Sequence, residues 1–485
     1  MVTMRILIHG INYFPELTGI GKYTGEMAQW LASRGHEVRV VTAPPYYPEW
    51  KISEGYPNRW RKETGDKGQD ARDNVQPSSL EPCTPSPAPL AVYRCPLWVP
   101  GKPSGLKRII HLASFAASSF PVMLAQAFWK PEIVFVVEPP LFCSMNALLV
   151  ARISGAKSWL HVKDFEVDAA FDLGILPEGK IRKLVLSIES LLMKRFSRVS
   201  TISKKMMERL EEKGVDPGRR IFFPNWVDTD AISPLERGAR GGGRKGYREE
   251  LGISDSAVVC LYSGNMGEKQ GIEILVDAAR LISGARGKLQ GTIRKGQGAS
   301  GEALLVTGNE ECVMAFDEQG REGKAGSCDL IHEPEIVFVL CGSGGARERL
   351  HAMAGNLSSM IWLPLQPLER LNDLLNMADI HLLPQRGDVA DLVMPSKLTG
   401  MLASGKPVIA TAKEGTEVYE VVSGCGKAVE PGNAALLAEA IIDLSRNGAL
   451  RMELGKSGRA YALENLSRDM ILSRMESVMM GTPGF

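Results

Sequence analysis

The feature that most constrains this chain is a repeated alternation of short apolar runs with helical patterns. "MRILIHG", "VRVVTA", "EIVFVVE", "KSWLHV" and "RVSTIS" form a first series, and "AVVCLYSG", "EIVFVLCG", "MIWLPL", "DIHLLP" and "KPVIAT" form a second. Several are apolar at successive positions, as strands buried on both faces require. Between them lie amphipathic stretches; in the first, Tyr23, Met27, Trp30 and Leu31 fall on one helical face. Such alternation builds parallel, doubly wound sheets. One series on each side of about residue 230 predicts an α/β chain with two of them. A further helix is expected near Ser467 to Met479.

A length of 485 residues suffices for two domains. The formal net charge of +1 gives no reason to expect a nucleic acid. The basic stretch "ERGARGGGRKGYR" lacks the aromatic interleaving that single-strand binding uses. Eight cysteines are scattered without C-x-x-C or zinc-ligand spacing, which reads as reduced thiols of a cytosolic protein. No basic segment precedes an apolar run and cleavage site, so no signal peptide is expected.

The glycines Gly19 and Gly21 raise the question of a dinucleotide. That fold needs G-x-G-x-x-G directly after the first strand and an acid near the end of the second. Here the pair comes nine and eleven residues after Gly10, and the second strand ends "VVTAPPYYP". Both conditions fail, which argues against a nicotinamide-dependent oxidoreductase. The glycines instead open a helix whose first N–H groups suit an anion such as phosphate. A plain loop ahead of a helix is the alternative.

Two stretches break the alternation. Residues 62–90 are polar and proline-rich, and residues 285–333 are rich in glycine and charge. Both read as largely disordered surface insertions, with only "EALLVTG" and "CVMAFD" pairing as a small hairpin. A third segment, Ile109 to Trp129, contains no Asp, Glu, Lys or Arg and is about long enough to span a bilayer. Its serines, His111, Gln126 and Pro121 oppose a span. A helix of the fold, a membrane-surface helix and a true span stay open. Lys107 and Arg108 at its start, with Trp98 and Trp129 near its ends, suit an anionic interface.

"YFPELTGIGKYTGEMA", "FFPNWVD", "YSGNMGEKQGIE", "VFVLCGSGGARERL" and "VMPSKLTGMLASGKPVIAT" occur in that order. Together they resemble the family 4 glycosyltransferases of the GT-B fold, closest to the colanic-acid-type fucosyltransferases. The resemblance covers nearly all the chain outside the two insertions. It implies two Rossmann-like domains facing across a cleft. Residues 1–228 would take the acceptor and 229–462 the nucleotide sugar, with 463–485 a helix crossing back to the first domain. It implies no cofactor and no metal, because helix N-termini and basic side chains stabilise the departing diphosphate.

Within that resemblance, "MPSKLTGMLASGKP" describes a helix start that places Pro395, Ser396, Lys397 and Leu398 at the diphosphate, with Lys397 supplying a full charge. An ordinary capped helix with a surface lysine is the alternative. The family's E-x7-E acids would fall at Leu392 and Gly400, so both are missing, and Asp388 or Asp391 would stand in for the first. The family's Arg and Lys positions near "SGNMGEKQG" fall at Asn265 and Gln270; Asn265 and Lys269 are taken as nucleotide contacts. In "LHVKDFEVDAA", Asp164 at a strand's end would orient or deprotonate the acceptor hydroxyl, with Glu166 and Asp168 close by. Solvated acids capping the next helix are the alternative, and His161 reads as structural. Glu414, with Gly415, follows "KPVIAT" at the sugar-facing end.

The reading that results is a metal-independent, retaining glycosyltransferase. Its partners would be a nucleotide-sugar donor, GDP-fucose first, a lipid-linked saccharide acceptor and the inner surface of the cytoplasmic membrane, as in exopolysaccharide synthesis. A sugar-nucleotide epimerase on the same scaffold and a non-catalytic subunit of an assembly complex are the alternatives. Removing residues 287–332, whose composition cannot bury enough apolar surface to order itself, is expected to leave a folded, active enzyme. A soluble, folded but inactive deletion variant in a transfer assay would overturn this.

Overall fold

The computed structural model describes residues 3–16, 19–64, 90–101, 105–138, 141–165, 180–235, 245–267, 270–295, 302–307, 310–315, 334–387 and 394–481; for 180–181, 285–295 and the segments between 302 and 315 it describes the backbone alone. The chain divides into two compact units. One is Met1–Trp226 with Leu392–Ser396 and Leu466–Phe485, the other Val227–Asp391 with Lys397–Asn465.

The first unit is built on strands β1 (Arg5–His9), β2 (Glu37–Thr42), β3 (Arg61–Thr64), β4 (Leu90–Arg94), β5 (Ile133–Glu138), β6 (Lys157–Val162), β7 (Arg198–Thr201) and β8 (Arg220–Phe222). They lie in the order β3-β4-β2-β1-β5-β6-β7-β8. Only the β3–β4 pair is antiparallel. The helices are α1 (Gly19–Ser33), α2 (Gly105–Gln126), α3 (Phe142–Ser154), α4 (Lys180–Met193) and α5 (Lys204–Glu212). Strand residues alternate between two cores. Ile6, Ile8, Val38 and Val40 meet the α1 side, while Leu7, Val41, Val134 and Val136 meet α2 and α3 on the other.

The second unit holds α6 (Tyr247–Glu250), β9 (Val258–Ser263), α7 (Glu273–Lys295), β10 (Glu302–Thr307), β11 (Glu310–Ala315), β12 (Ile336–Cys341), α8 (Arg347–Ala354), β13 (Met360–Leu363) and α9 (Leu371–Met377). It continues with β14 (Ile380–Leu383), α10 (Ser396–Ala403), β15 (Val408–Thr411), α11 (Glu417–Ser423), β16 (Gly426–Val429), α12 (Ala434–Arg446) and α13 (Gly448–Asn465). Its parallel sheet runs β13-β12-β9-β14-β15-β16. That is the doubly wound order in which the strand sequence reverses beside the first strand, and ligands bind outside the carboxyl ends at that point. The reversal falls between β9 and β14 here, and between β1 and β5 in the first unit.

The last helix, α14 (Arg468–Met480), packs in the first unit. Ile471, Leu472, Met475 and Met479 share a core with Met27 and Leu31 of α1. Trp30 Nε1 donates to Asp469 at 2.8 Å. The Met4 N–H donates to His36 Nδ1 at 3.2 Å, so the neutral ring's proton sits on Nε2 and is given to Glu476 at 2.8 Å.

Two expectations change. Lys62 to Thr64 and Leu90, assigned to an insertion, pair as β3 and β4. Polar residues such as "KET" are stable on an edge strand, where one side faces water. Residues 65–89 lie outside the described residues. Helix α7 runs on to Lys295, past the expected boundary at 285, so the deletion above belongs at 296. The β10–β11 hairpin pairs Glu302 with Ala315 through Thr307 with Glu310. Finally, Ile109 to Trp129 forms most of α2 and the single turn Ala127–Trp129, with about a third of the apolar stretch buried. Trp129, expected as an interfacial anchor, is half-buried and lies 4.2 Å from the Arg39 guanidinium.

Replacing Glu476 with alanine strips a buried imidazole N–H of its acceptor. The expected cost is about 1–3 kcal/mol, read as a lower urea midpoint at unchanged slope.

Candidate active site

In the second unit the site is built around Lys397. It is the second residue of α10, and its Nζ donates to Tyr262 Oη at 2.6 Å and to Gln270 Oε1 at 3.1 Å. The ammonium also lies 4.3 Å from the Tyr262 ring centroid. Tyr262, from β9, passes its own proton to the Asn265 carbonyl at 2.6 Å. Gly264 makes room for this: its φ is +140°, and a Cβ there would lie 2.6 Å from Lys397 Cε. A side chain at that position would be strained and would push the lysine out. Burial pulls the Lys397 ammonium down to about 8 and pushes the Tyr262 phenol up. Lys397 is therefore a sunken cation beside a helix start, not a surface lysine, and the two together favour an anion.

The remaining donor-side candidates divide. Pro395 directly precedes the helix and Ser396 is its first, exposed residue. Leu398 is only 1% exposed and sits in the core, so its one route to a ligand is its main-chain N–H. The Asn265 side chain is exposed, while its carbonyl serves Tyr262. Gln270, passed over in favour of Lys269, is the residue that touches Lys397. Lys269, Asp388, Asp391 and Leu392 lie outside the described residues. At Gly400 a Cβ would meet Leu375 at 3.4 Å. Glu414 is exposed on the loop before α11.

A pocket of about 460 Å³ opens in the same unit, lined among others by Gly271, Glu273, Asp277, Gln385, Arg386 and Gly432. These residues follow the carboxyl ends of β9, β14 and β16. The Gln385 Oε1 atom is buried there without a hydrogen-bond partner among the described residues. Glu273 accepts from Arg349 at 2.5 Å, which holds its carboxyl below the ordinary range against the opposing effect of its partial burial. No sequence candidate except the neighbourhood of Gly271 pointed here, because the walls come from three loops far apart in the chain.

In the first unit, Asp164 follows β6 and is half-buried. Its neighbour Lys163, which the sequence reading left aside, is buried. Lys163 Nζ donates to Asn225 Oδ1 at 2.7 Å and lies 4.4 Å from the Tyr23 ring centroid. Burial pulls this ammonium down to about 7, with Glu26 opposing. The available signal was a lone lysine between an apolar strand and an acidic run. His161 is buried and bonded to Ser200 at 2.9 Å, and burial drives its pKa well down. Glu166 lies outside the described residues.

Gly19, exposed at φ +62°, opens α1. Gly21 is needed for packing. A Cβ there would lie 2.6 Å from that of Glu16. The buried Glu16 carboxylate accepts from Asn12 at 2.9 Å and from the Tyr46 and Tyr47 N–H groups at 3.0 and 3.1 Å. Burial raises its pKa, and these bonds oppose the rise. The anion nearest this glycine is thus one of the protein's own.

Comparison with known proteins matches residues 18–226 to a glycosyl transferase 4-like domain and residues 326–461 to the glycosyl transferases of group 1. A relative from Escherichia coli K12, provisionally named the colanic acid biosynthesis glycosyl transferase WcaI, is 36% identical over 99% of this chain and 100% of its own. Among solved structures, sucrose-phosphate synthase from Thermosynechococcus elongatus superposes with a TM-score of 0.63 at 15% identity, covering 98% of this chain and 99% of that one. Anabaena HepE in complex with UDP and glucose does so with a TM-score of 0.60 at 13% identity, covering 99% and 100%. At those identities the structures speak for the fold alone.

Proposed function

The chain belongs to the family 4 glycosyltransferases of GT-B fold, and from that membership we propose that it moves a sugar from a nucleotide diphosphate to a lipid-linked saccharide with retention at the anomeric carbon. The product would be a polysaccharide of the colanic acid type, and the first donor to test is GDP-fucose. The work would be done at the inner face of the cytoplasmic membrane, where such an acceptor presents its sugar.

One observation carries the reading: the half-buried ammonium of Lys397 at the start of α10, held by Tyr262 and Gln270 where the strand order reverses. In the proposed step the acceptor oxygen bonds to the anomeric carbon as the bond from that carbon to the diphosphate breaks. The acceptor proton passes to the departing phosphate oxygen on the same face. No protein nucleophile is needed, so the protein orients the reactants and stabilises the leaving diphosphate. Lys397 and the α10 N–H groups supply that stabilisation without calling on a metal. Asp164 would orient the acceptor hydroxyl, and the polar walls around Glu273 and Gln385 suit sugar hydroxyls. Incubating donor without acceptor separates this from an epimerase, which would convert the sugar nucleotide itself.

Lys397→Ala should lower kcat/KM by about 10²–10³ while the thermal melt is kept, the loss of one preorganised charge contact. Unchanged turnover and donor affinity would refute the assignment. The pH dependence has a definite sign. Burial lowers the lysine's pKa, so its cation is present below about 8 and lost above it. kcat/KM, which reports the free enzyme, should therefore fall as pH rises through about 8. A profile flat from pH 7 to 9.5 would count against a working ammonium.

A further inference from the structure

From the outer faces of α2, α3 and α4 we infer that they form one docking surface for an anionic lipid bilayer, laid flat on the interface. This rests on the lipid-linked acceptor reading but places the contact chiefly on two helices that the sequence did not single out.

The three helices lie on one side of the first unit. Phe115 of α2, Ala147 of α3 and Met193 of α4 belong to the same core beneath the sheet face that carries Val134 and Val136. Above that core each helix turns large apolar side chains outward. On α3 they are Phe142, Met145, Leu149 and Ile153, exposed by 39–63%. On α4 they are Leu184, Ile188 and Leu191, exposed by 46–62%. On α2 and the turn after it they are Phe120, Leu124 and Phe128. The spacings of three and four residues make each set a stripe along its helix. Adjoining apolar stripes of this extent on a soluble surface mark an interaction site.

The charges select the partner. Helices α2 and α3 contain no acidic residue at all. The one acid of α4, Glu189, is fully buried and paired with Lys213. The exposed cations lie along the same stripes. Lys107 is three residues before Ile110, Arg152 seven after Met145, and Arg195 seven after Ile188. A face of outward apolar residues and interspersed cations, with no exposed acid among the described residues of its three helices, fits the headgroup layer of an anionic membrane. It does not fit a span. One face of α2, from His111 through Phe115 and Ser119 to Met123, is occupied by the protein's own core.

The test uses the full-length protein and acceptor-free vesicles of phosphatidylglycerol with phosphatidylcholine, or of phosphatidylcholine alone. Wild type should co-sediment with the anionic vesicles at low salt and lose at least about tenfold in partitioning at high salt. Met145→Glu with Ile153→Glu on α3, and separately Leu184→Glu with Ile188→Glu on α4, should each lower partitioning at least about tenfold. All four positions are exposed, so circular dichroism and the thermal melt should not move. Absence of wild-type binding, or variants that bind as wild type does, would overturn the inference. So would a wild-type dimer on size exclusion that these variants break, because a second copy would then cover the face. Vesicle binding needs no acceptor. Absence of wild-type binding with transfer intact refutes the surface alone, whereas binding without transfer to any lipid-linked acceptor refutes the functional reading alone.

Discussion

Parallel pairing governs the rest of this structure. Two parallel neighbours cannot be joined by a tight turn, so each connection must cross back over a sheet face. Every loop leaving a carboxyl end is then gathered along one edge of its sheet. Where the strand order reverses, neighbouring loops diverge to opposite faces and leave a crevice. In the second unit that edge brings together loops separated by more than a hundred residues, those after β9 and β14, and the start of α10. Chemistry accumulates there because the ladder leaves no other place for ordered loops from many strands.

Each unit sinks a lysine near that edge, and the two are supported in the same way. Lys397 has the ring and hydroxyl of Tyr262 and the amide oxygen of Gln270. Lys163 has the ring of Tyr23 and the amide oxygen of Asn225. Desolvation penalises an ammonium, and a carboxylate would be the strongest compensation. A carboxylate would also cancel the charge. A ring face and a neutral oxygen offset part of the cost while leaving Lys397 its net positive charge, whereas at Lys163 the Glu26 carboxylate adds a further favourable charge. The lowered pKa values, about 8 and about 7, are the trace of that incomplete compensation. Under the proposed reading, in which the leaving group is a diphosphate, an uncancelled cation is what the departing charge would require.

The sequence disclosed the parts of this molecule that depend on local pattern. Ten apolar runs became strands because burial on both faces demands continuous hydrophobicity, and that signal is short-range. What it concealed depends on partners. β3 is polar and is a strand only because β4 lies beside it. Gln270 is unremarkable until Lys397, 127 residues later, is brought to it. The pocket beside Gly271 has walls from three loops, and no single stretch describes it. Gly21 misled in the opposite direction. A glycine at a helix start suggested an incoming anion, but its smallness serves Glu16, a residue of the same loop.

The missing acids of the E-x7-E pattern fit the same logic. At Gly400, on the second turn of α10, a side chain would start against Leu375 of α9. A glutamate there would have to reach past an apolar neighbour to arrive at a ligand, and would bring a negative charge onto the helix that carries Lys397. With glycine, the positive end of α10 and its lysine have no opposing carboxylate from that position. Under the proposed reading, recognition of the donor's hydroxyls would then come from elsewhere on the same edge. Glu273 accepts from Arg349, which opposes its protonation, and the Gln385 oxygen has no partner among the described residues. Both are acceptors set in the wall of the neighbouring pocket. Under the proposed reading, charge stabilisation and hydroxyl recognition would then fall to different loops, and the lysine would keep its full field at the diphosphate.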